Sequence, residues 1–331
     1  MGIKNLNQYL LKQCSQNSIL KIKLETLQNK VIVVDTSIYL YKFLVEGALM
    51  ENIYFMISLF QYYKITPIFI FDGKPPPEKW ELLKKRNWEK KEAEQKYILL
   101  KNSMEEDDSA AIAEMEILKR KMIRLKNSDI QKVKELMDAF GVLHYEAPGE
   151  ADQLCVYIVN SGIGWACMSD DMDMFLYGCN RLLRNLSLLN RHVVLYNTES
   201  ILKDLDLNIR DFLEIMVLSG TDYNINGEFT LRKTLEWYKQ YKCEQLPKLI
   251  TQSGEDIKED NNSTPFYGWL LQKSNINNTE LISICDMFNM NEILSKLQGF
   301  DEIYKTYLEN LKKPNLKKIQ EIMENEGFIF V

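Results

Sequence analysis

The chain has 331 residues, 46% of them hydrophobic, and a net charge of −6. That balance supplies a sizeable core and excludes a disordered chain or one that coats nucleic acid by bulk charge, while leaving room for local basic patches. Two histidines leave little material for a His-based mechanism. The six scattered cysteines, with no CxxC pair, fit reduced core thiols in an intracellular protein, nuclear or cytoplasmic.

No apolar run is long enough to span a bilayer, and MGIKNLNQYL has neither a signal-peptide core nor the Ser or Thr of a myristoylation site. Residues Gly2–Gln13 read as a short amphipathic helix. Lys30–Val34 is an apolar run of the kind buried on both faces of a parallel sheet, and it ends at Asp35. A helix over Ser37–Tyr63 follows. Then comes a second buried strand, Pro67–Phe71, ending at Asp72. Two strands that each terminate in an aspartate direct attention to the carboxyl edge of an α/β sheet, where sites of open sheets lie.

After the break at Pro75–Pro77, Glu78–Lys101 reads as a charged helix without an apolar face. From Lys74 to Lys101 nine basic residues face five acidic ones, a local charge of +4. An acidic break at Glu105–Asp108 leads to a helix over Ala110–Lys126 with the basic run Lys119, Arg120, Lys121, Arg124 and Lys126. A helix over Ile130–Phe140, stopped by Gly141, and a strand over Val142–Tyr145 follow. The basic helices leave directly from Asp72 and return towards Glu150. They are either a solvated hairpin or an arch over a site that holds a phosphodiester strand.

The stretch EAPGEADQLCVYIVNSGIGWACMSDDMDMF carries Glu150 and Asp152 at the start of a helix, a strand over Trp165–Ser169, and an acidic turn with Asp170, Asp171 and Asp173. A strand hairpin (Asn180–Asn185, His192–Leu195), helices over Thr198–Asp204 and Ile209–Ser219, Asp222 in SGTDYN and a helix over Leu231–Lys242 come next. Thr251–Pro265 reads as an exposed loop, and helical patterns recur around Asn278–Leu297 and Lys317–Glu326.

Each acid has an ordinary alternative. Asp35 can cap a helix, Asp72-Gly73 can be a turn, Glu150 and Asp152 can be favoured by a helix dipole, and Asp171, Asp173 and Asp222 can be loop or cap acids. Jointly these require seven unrelated accidents at one end of one sheet. Like charges about 5 Å apart repel by roughly 3 kcal/mol at an effective dielectric near 20. A pair of hard divalent cations relieves that repulsion, and oxygen ligands without nearby His or Cys select Mg2+, with Mn2+ as substitute, over zinc. Glu150 and Asp152 are two residues apart, so one of them lies outside the regular helix or acts through water. There is no P-loop for ATP hydrolysis and no GxSxG elbow for acyl transfer.

The motifs MGIKNL, VVDTSIYLYKFL, IFIFDGKPP, EAPGEADQ, SDDMDMFLYG, LLRNL and LSGTDY, in this order, resemble the flap endonucleases of the XPG-type structure-specific 5′ nuclease family, from Met1 to about Lys242. The resemblance implies a Rossmann-like α/β PIN-type nuclease fold with a mostly parallel central sheet, an inserted helical arch and a helical C-terminal region. Residues 1–242 would form the nuclease domain: 1–101 its N-terminal part, 74–140 the arch, and 141–242 an internal part with a degenerate helix–hairpin–helix. Residues 243–331 would form the C-terminal region.

It further implies a monomeric flap endonuclease and 5′–3′ exonuclease acting on flapped or branched DNA in replication, repair or recombination. Asp35, Asp72, Glu150, Asp152, Asp171, Asp173 and Asp222 would hold two magnesium ions. Lys79 and Arg86 would neutralise the scissile phosphate, where the bland reading is helix surface. Tyr41 would stack on a base, against core packing. Gly2 would put a freed amino terminus near the site, and Arg184 would meet the DNA backbone, against a surface salt bridge.

Three departures qualify the resemblance. The hairpin after Asp222 keeps only Gly227 and has Phe229 where a second glycine is expected, so Arg232 and Lys233 are the candidates to hold duplex phosphate there. The Asp35–Asp72 interval is shorter than in cellular members by roughly fifteen residues, which touches the substrate wedge. No clamp-binding box is found near GFIFV. The altered hairpin also supports a rival reading, a DNA-junction-binding scaffold with weak or lost nuclease activity. The Asn-, Ile- and Lys-rich composition fits an AT-rich genome such as that of a large DNA virus.

Overall fold

Two apolar runs set the architecture. VIVVD (β2, Val31–Asp35) and TPIFIF (β3, Thr66–Phe71) are buried along nearly their whole length, because both lie inside a seven-stranded sheet covered on both faces. The computed structural model describes residues 3–103, 109–224, 229–251, 265–273, 278–290 and 299–330. The other strands are β1 (Ile19–Lys23), β4 (Leu143–Glu146), β5 (Ala166–Met168), β6 (Arg181–Ser187) and β7 (His192–Asn197), in the order β1-β7-β6-β5-β2-β3-β4. The five from β6 to β4 run parallel. β7 pairs antiparallel to β6, and β1 antiparallel to β7. From β2 the chain moves outward to β3 and β4, then returns to lay β5 on the other side of β2. That reversal opens a crevice beyond the carboxyl ends of β2, β3 and β5.

Side-chain alternation along β2 divides the core. Val33 faces one cluster with α1 (Leu6–Gln13), α7 (Ala151–Asn160) and α9 (Ile209–Leu218). Ile32 and Val34 face the other, with α2 (Thr36–Val45), α3 (Leu49–Tyr62) and α6 (Asn127–Phe140). The single helix expected over Ser37–Tyr63 is therefore two, α2 and α3. Gly47, at φ 71°, takes the left-handed turn between them.

Between β3 and α6 stand α4 (Trp80–Ser103) and α5 (Ser109–Met122), packed along each other. Gly141 closes α6 at φ 69°. The acidic break expected at Glu105–Asp108 lies outside the described residues. Beyond the hairpin, α8 (Thr198–Leu205) and α9 match expectation, whereas α10 runs from Leu231 to Thr251, past the expected end at Lys242. Of the loop expected over Thr251–Pro265, the first residue ends α10 and the last opens the next helix, and residues 252–264 lie outside the described residues.

Helices α11 (Pro265–Lys273) and α13 (Phe300–Glu309) were not anticipated. α12 (Asn278–Met287) and α14 (Leu316–Asn325) fall on the expected patterns, although residues 291–298 lie outside the described ones. The C-terminal helices pack on the helices that cover the sheet: α11 and α12 on α9, and α14 on α6. Ile319 and Met323 of α14 are buried in the cluster of β2 and β3, and Phe328 and Phe330 close on Tyr54 at 5.4 and 5.9 Å.

Candidate active site

Each acid is placed by the backbone that precedes it. Asp35 ends β2 and sits at the N-cap of α2, yet its carboxylate makes no capping bond. It is buried and instead accepts a hydrogen bond from Ser169 Oγ at 2.8 Å. Asp72 follows β3 and accepts from the Ala151 N–H at 2.9 Å, which ties the end of β3 to the start of α7. The turn closes tightly there. The Gly73 N–H donates to the Gly149 carbonyl at 2.8 Å, and a Cβ on Gly73 would stand 1.9 Å from the Ala147 carbonyl oxygen, so only glycine fits.

Glu150 is the N-cap of α7 with extended backbone (φ −77°, ψ 145°), whereas Asp152 lies in the first helical turn. That difference is how two acids two residues apart both reach the crevice. Beyond β5, the Asp171 N–H donates to Ser169 Oγ at 3.1 Å and the Asp173 N–H to Asp171 Oδ1 at 3.0 Å. Asp222 follows α9.

Asp35, Asp72, Glu150, Asp152, Asp171 and Asp222 line one cavity of about 600 Å³, together with Tyr41, Lys79 and Arg86. Asp173 is buried nearby, and among the described residues its Oδ1 has no hydrogen-bond partner. Burial, then the charges of Asp72 and Asp171, push the Asp35 carboxyl well above the usual carboxylate range, against the opposing Ser169 bond. Burial, then Asp35 and Asp171, does the same at Asp152, and burial, then Asp171 and Asp222, at Asp173.

The two basic residues already hold partners. Lys79 Nζ stands 2.6 Å from Glu150 Oε1, and Arg86 Nη2 donates to Asp222 Oδ2 at 2.9 Å. Burial pulls the Lys79 ammonium down, but Glu150, Asp152 and Asp222 outweigh it and hold it above its ordinary value. Among the described residues, no three of the carboxylates draw close enough to enclose one cation in this arrangement.

Tyr41 is 42% exposed, at the cavity wall, with Lys90 Nζ 5.1 Å from its ring centroid. Arg184 lies elsewhere. It is 8% exposed and donates to Asn7 Oδ1 at 2.9 Å and to the Asp170 carbonyl at 2.8 Å, so it braces α1 against the acidic turn from within rather than presenting a surface. Arg232 and Lys233 are exposed on the first turn of α10, away from the cavity; Arg232 Nε donates to Glu236 at 3.2 Å. Gly2 and Gly227 lie outside the described residues. Phe229 packs edge-on against Trp237 at 4.8 Å.

Sequence reasoning missed Ser169, which joins Asp35 to the Asp171 backbone, and Tyr223, whose hydroxyl donates to Glu150 Oε2 at 2.6 Å under the Lys79 ammonium. Both adjoin quoted acids, Ser169 just before the DDMD run and Tyr223 just after Asp222, and that adjacency was the available signal. Arg124, which the sequence offered only as one of a basic run on the arch, lines the cavity and donates to Asn87 of α4 at 3.0 Å.

A parallel sheet whose strand ends gather acids beneath a basic helical arch defines a class, the α/β nucleases that cut phosphodiesters. Residues 1–93 match the XPG N-terminal domain and residues 141–222 the XPG I-region. Flap endonuclease 1 of Methanococcus aeolicus is 30% identical over 255 residues, 72% of this chain and 76% of the relative. Flap endonuclease 1 of Sulfurisphaera tokodaii is 32% identical over 269 residues, 75% and 74% of the two chains. The fold matches the catalytic core of Rad2 in complex with DNA substrate (TM-score 0.61, 20% identity, 98% of this chain and 94% of that one). It also matches human GEN1 in complex with Holliday junction DNA (TM-score 0.55, 20% identity, 99% and 74%). The chain belongs to the XPG-type flap endonuclease family, and its fold is the PIN-type nuclease fold expected from sequence.

Proposed function

We propose that this chain is a structure-specific 5′ flap endonuclease with 5′–3′ exonuclease activity, hydrolysing DNA phosphodiesters with two divalent cations, Mg2+ foremost. The observation that carries the reading is that six acids from four separate stretches of chain line one cavity whose wall also holds Lys79 and Arg86. Asp35, Asp72, Glu150, Asp152, Asp171, Asp173 and Asp222 would hold the ions. The unpartnered buried oxygen of Asp173, the carboxyls raised by crowding and burial, and an all-oxygen donor set fit hard divalent ions. When bound, such ions supply an activated water and stabilise the leaving oxygen.

The chain's own residues do the rest. Lys79 and Arg86 reach the cavity from the base of the arch with charges that can turn from Glu150 and Asp222 to the scissile phosphate. Tyr223 and Tyr177, linked at 3.0 Å, keep Glu150 oriented through that exchange. Ser169 fixes Asp35 and the Asp171 backbone together, so both acids move as one unit. Tyr41 offers a partly exposed ring for a base beside the cut.

DNA as substrate is supported by the flap endonuclease relatives and by the DNA complexes of Rad2 and GEN1. The exposed Arg232 and Lys233 would hold the duplex behind the cut in place of the altered hairpin. The test is a labelled 5′-flap substrate with Mg2+ or with chelator, run beside bubble, four-way and blunt DNA. Magnesium-dependent cleavage, fastest on the flap, is the expected result; binding to every substrate without a magnesium-dependent product would end the reading.

A further inference from the structure

Helix α4 has two working faces, and the catalytic cavity uses one. Lys79, at its foot, with Leu83, Arg86 and Lys90, line the cavity. Trp80, Lys84, Trp88 and Lys91 follow one another at steps of four, four and three residues, which places them along a different stripe of the same helix. None of them lines the cavity. Trp80 is 51% exposed and Trp88 63%, and both lysines are exposed. Two exposed indoles on one helix are costly unless something covers them.

The charge around them selects the cover. Two carboxylates border the stripe: Glu81, three residues before Lys84, and Glu92, four residues past Trp88, which is paired with Lys96 at 2.8 Å; Lys84, Lys85 and Lys91 outnumber them. Indole faces alternating with free ammonium groups are what single-stranded nucleic acid requires: a ring for a base, a cation for the adjoining phosphate. An apolar protein partner would find lysines at every second step, and an acidic one would leave the indoles uncovered. Trp80 and Trp88 stand about 12 Å apart along the axis, room for a few successive bases between them.

We infer that the outer stripe of α4, Trp80–Lys84–Trp88–Lys91, is a binding platform for single-stranded DNA, separate from the catalytic cavity. The strand it takes is the flap beyond the few nucleotides the cavity itself holds; only this assignment of the strand's origin rests on the flap-nuclease reading. The platform makes the enzyme sensitive to flap length, favouring long flaps over short ones.

The experiment uses the full chain. In chelator, tryptophan emission is followed while a twenty-nucleotide oligo-dT is titrated in. Emission should be quenched, and Trp80→Ala with Trp88→Ala should abolish the quench and weaken binding about thirtyfold or more. Lys84→Gln with Lys91→Gln keeps both rings and should lower the salt dependence of binding by a slope of about 1.4, two contacts at roughly 0.7 each.

With Mg2+, either pair should slow cleavage of twenty-nucleotide flaps several-fold and leave two-nucleotide flaps unchanged. Unaltered oligonucleotide binding by the tryptophan pair overturns the proposal. So does emission that answers to protein concentration and not to DNA, which would assign the stripe to a second copy of the chain. A wild-type chain that binds oligo-dT through the stripe but cuts no flap leaves the platform standing and removes the catalytic reading instead.

Discussion

The acids and the bases of this site are held in opposite ways. Asp35, Asp171 and Asp173 are buried at or beyond strand ends, the Asp35 carboxylate held by Ser169 Oγ and that of Asp171 by the Asp173 N–H. Lys79 and Arg86 belong to the base of an arch whose long helix α4 buries, among its described residues, only Leu82 and Ala93. The rigid half fixes where bond cleavage happens. The loosely packed half can give way to admit a strand, because few buried apolar contacts mean a low cost of local opening. Positional accuracy and access, which conflict within one element, are here assigned to different ones.

The largest test of that division is Asp171→Ala. Losing a sheet-end acid should reduce flap cleavage by about 10³-fold or more while DNA binding stays within a few-fold, and the rise in Tm on adding Mg2+ should shrink. Lys79→Ala and Arg86→Ala should each cost about 10²-fold in kcat yet keep the Mg2+-induced rise in Tm, separating phosphate handling from ion holding. Retained turnover in the Asp171 variant would break the comparison outright.

The pH dependence of stability addresses the rigid half alone. With carboxyl pKa values raised at Asp35, Asp152 and Asp173, the folded metal-free chain keeps protons that the unfolded chain has released. Its stability therefore falls as pH climbs from the ordinary carboxylate range through the raised values. In chelator, Tm should be lower at pH 8 than at pH 5.5. Asp173→Asn should lift the pH 8 value by about 1 kcal/mol of stability or more while cutting is lost. Hydrogen exchange should show α4 amides opening faster than those of β2 and β3. The smallest effect is Tyr223→Phe. Without its bond to Glu150, activity should drop only a few-fold, with the loss concentrated in kcat.

Much of this arrangement was legible before any coordinates. Asp35 and Asp72 could be placed because VIVV and IFIF are strands that only a doubly covered sheet accommodates, and the acids at their ends then share an edge. Glu150 and Asp152 were read as needing one residue outside the helix, and the extended backbone of Glu150 provides it. What stayed hidden depended on partners distant in sequence. Arg184 was expected at the DNA backbone, or in a surface salt bridge, but its destination is set by the Asp170 carbonyl and by Asn7, which is far away in the chain. β1 escaped notice because only Ile19 and Ile22 are partly covered on that edge strand, too weak an alternation to stand out. Gly47 broke a helix whose apolar pattern continued through it, since left-handed preference is a property of one residue and not of a period.

The position of α14 has a consequence for how the protein is made. Ile319 and Met323 complete the apolar flank beside β2 and β3, although both strands are made far earlier in the chain and even the last of the acids, Asp222, lies about a hundred residues before them. At about 5–20 residues per second, a ribosome needs on the order of 10 s to cover that interval. During it, the chain through Asp222 has been made while the patch beside α6 that Ile319 and Met323 cover is still open to water. The berth of α14 is therefore the last part of that flank to be sealed, and a chain that stops short of Leu316 leaves it uncovered.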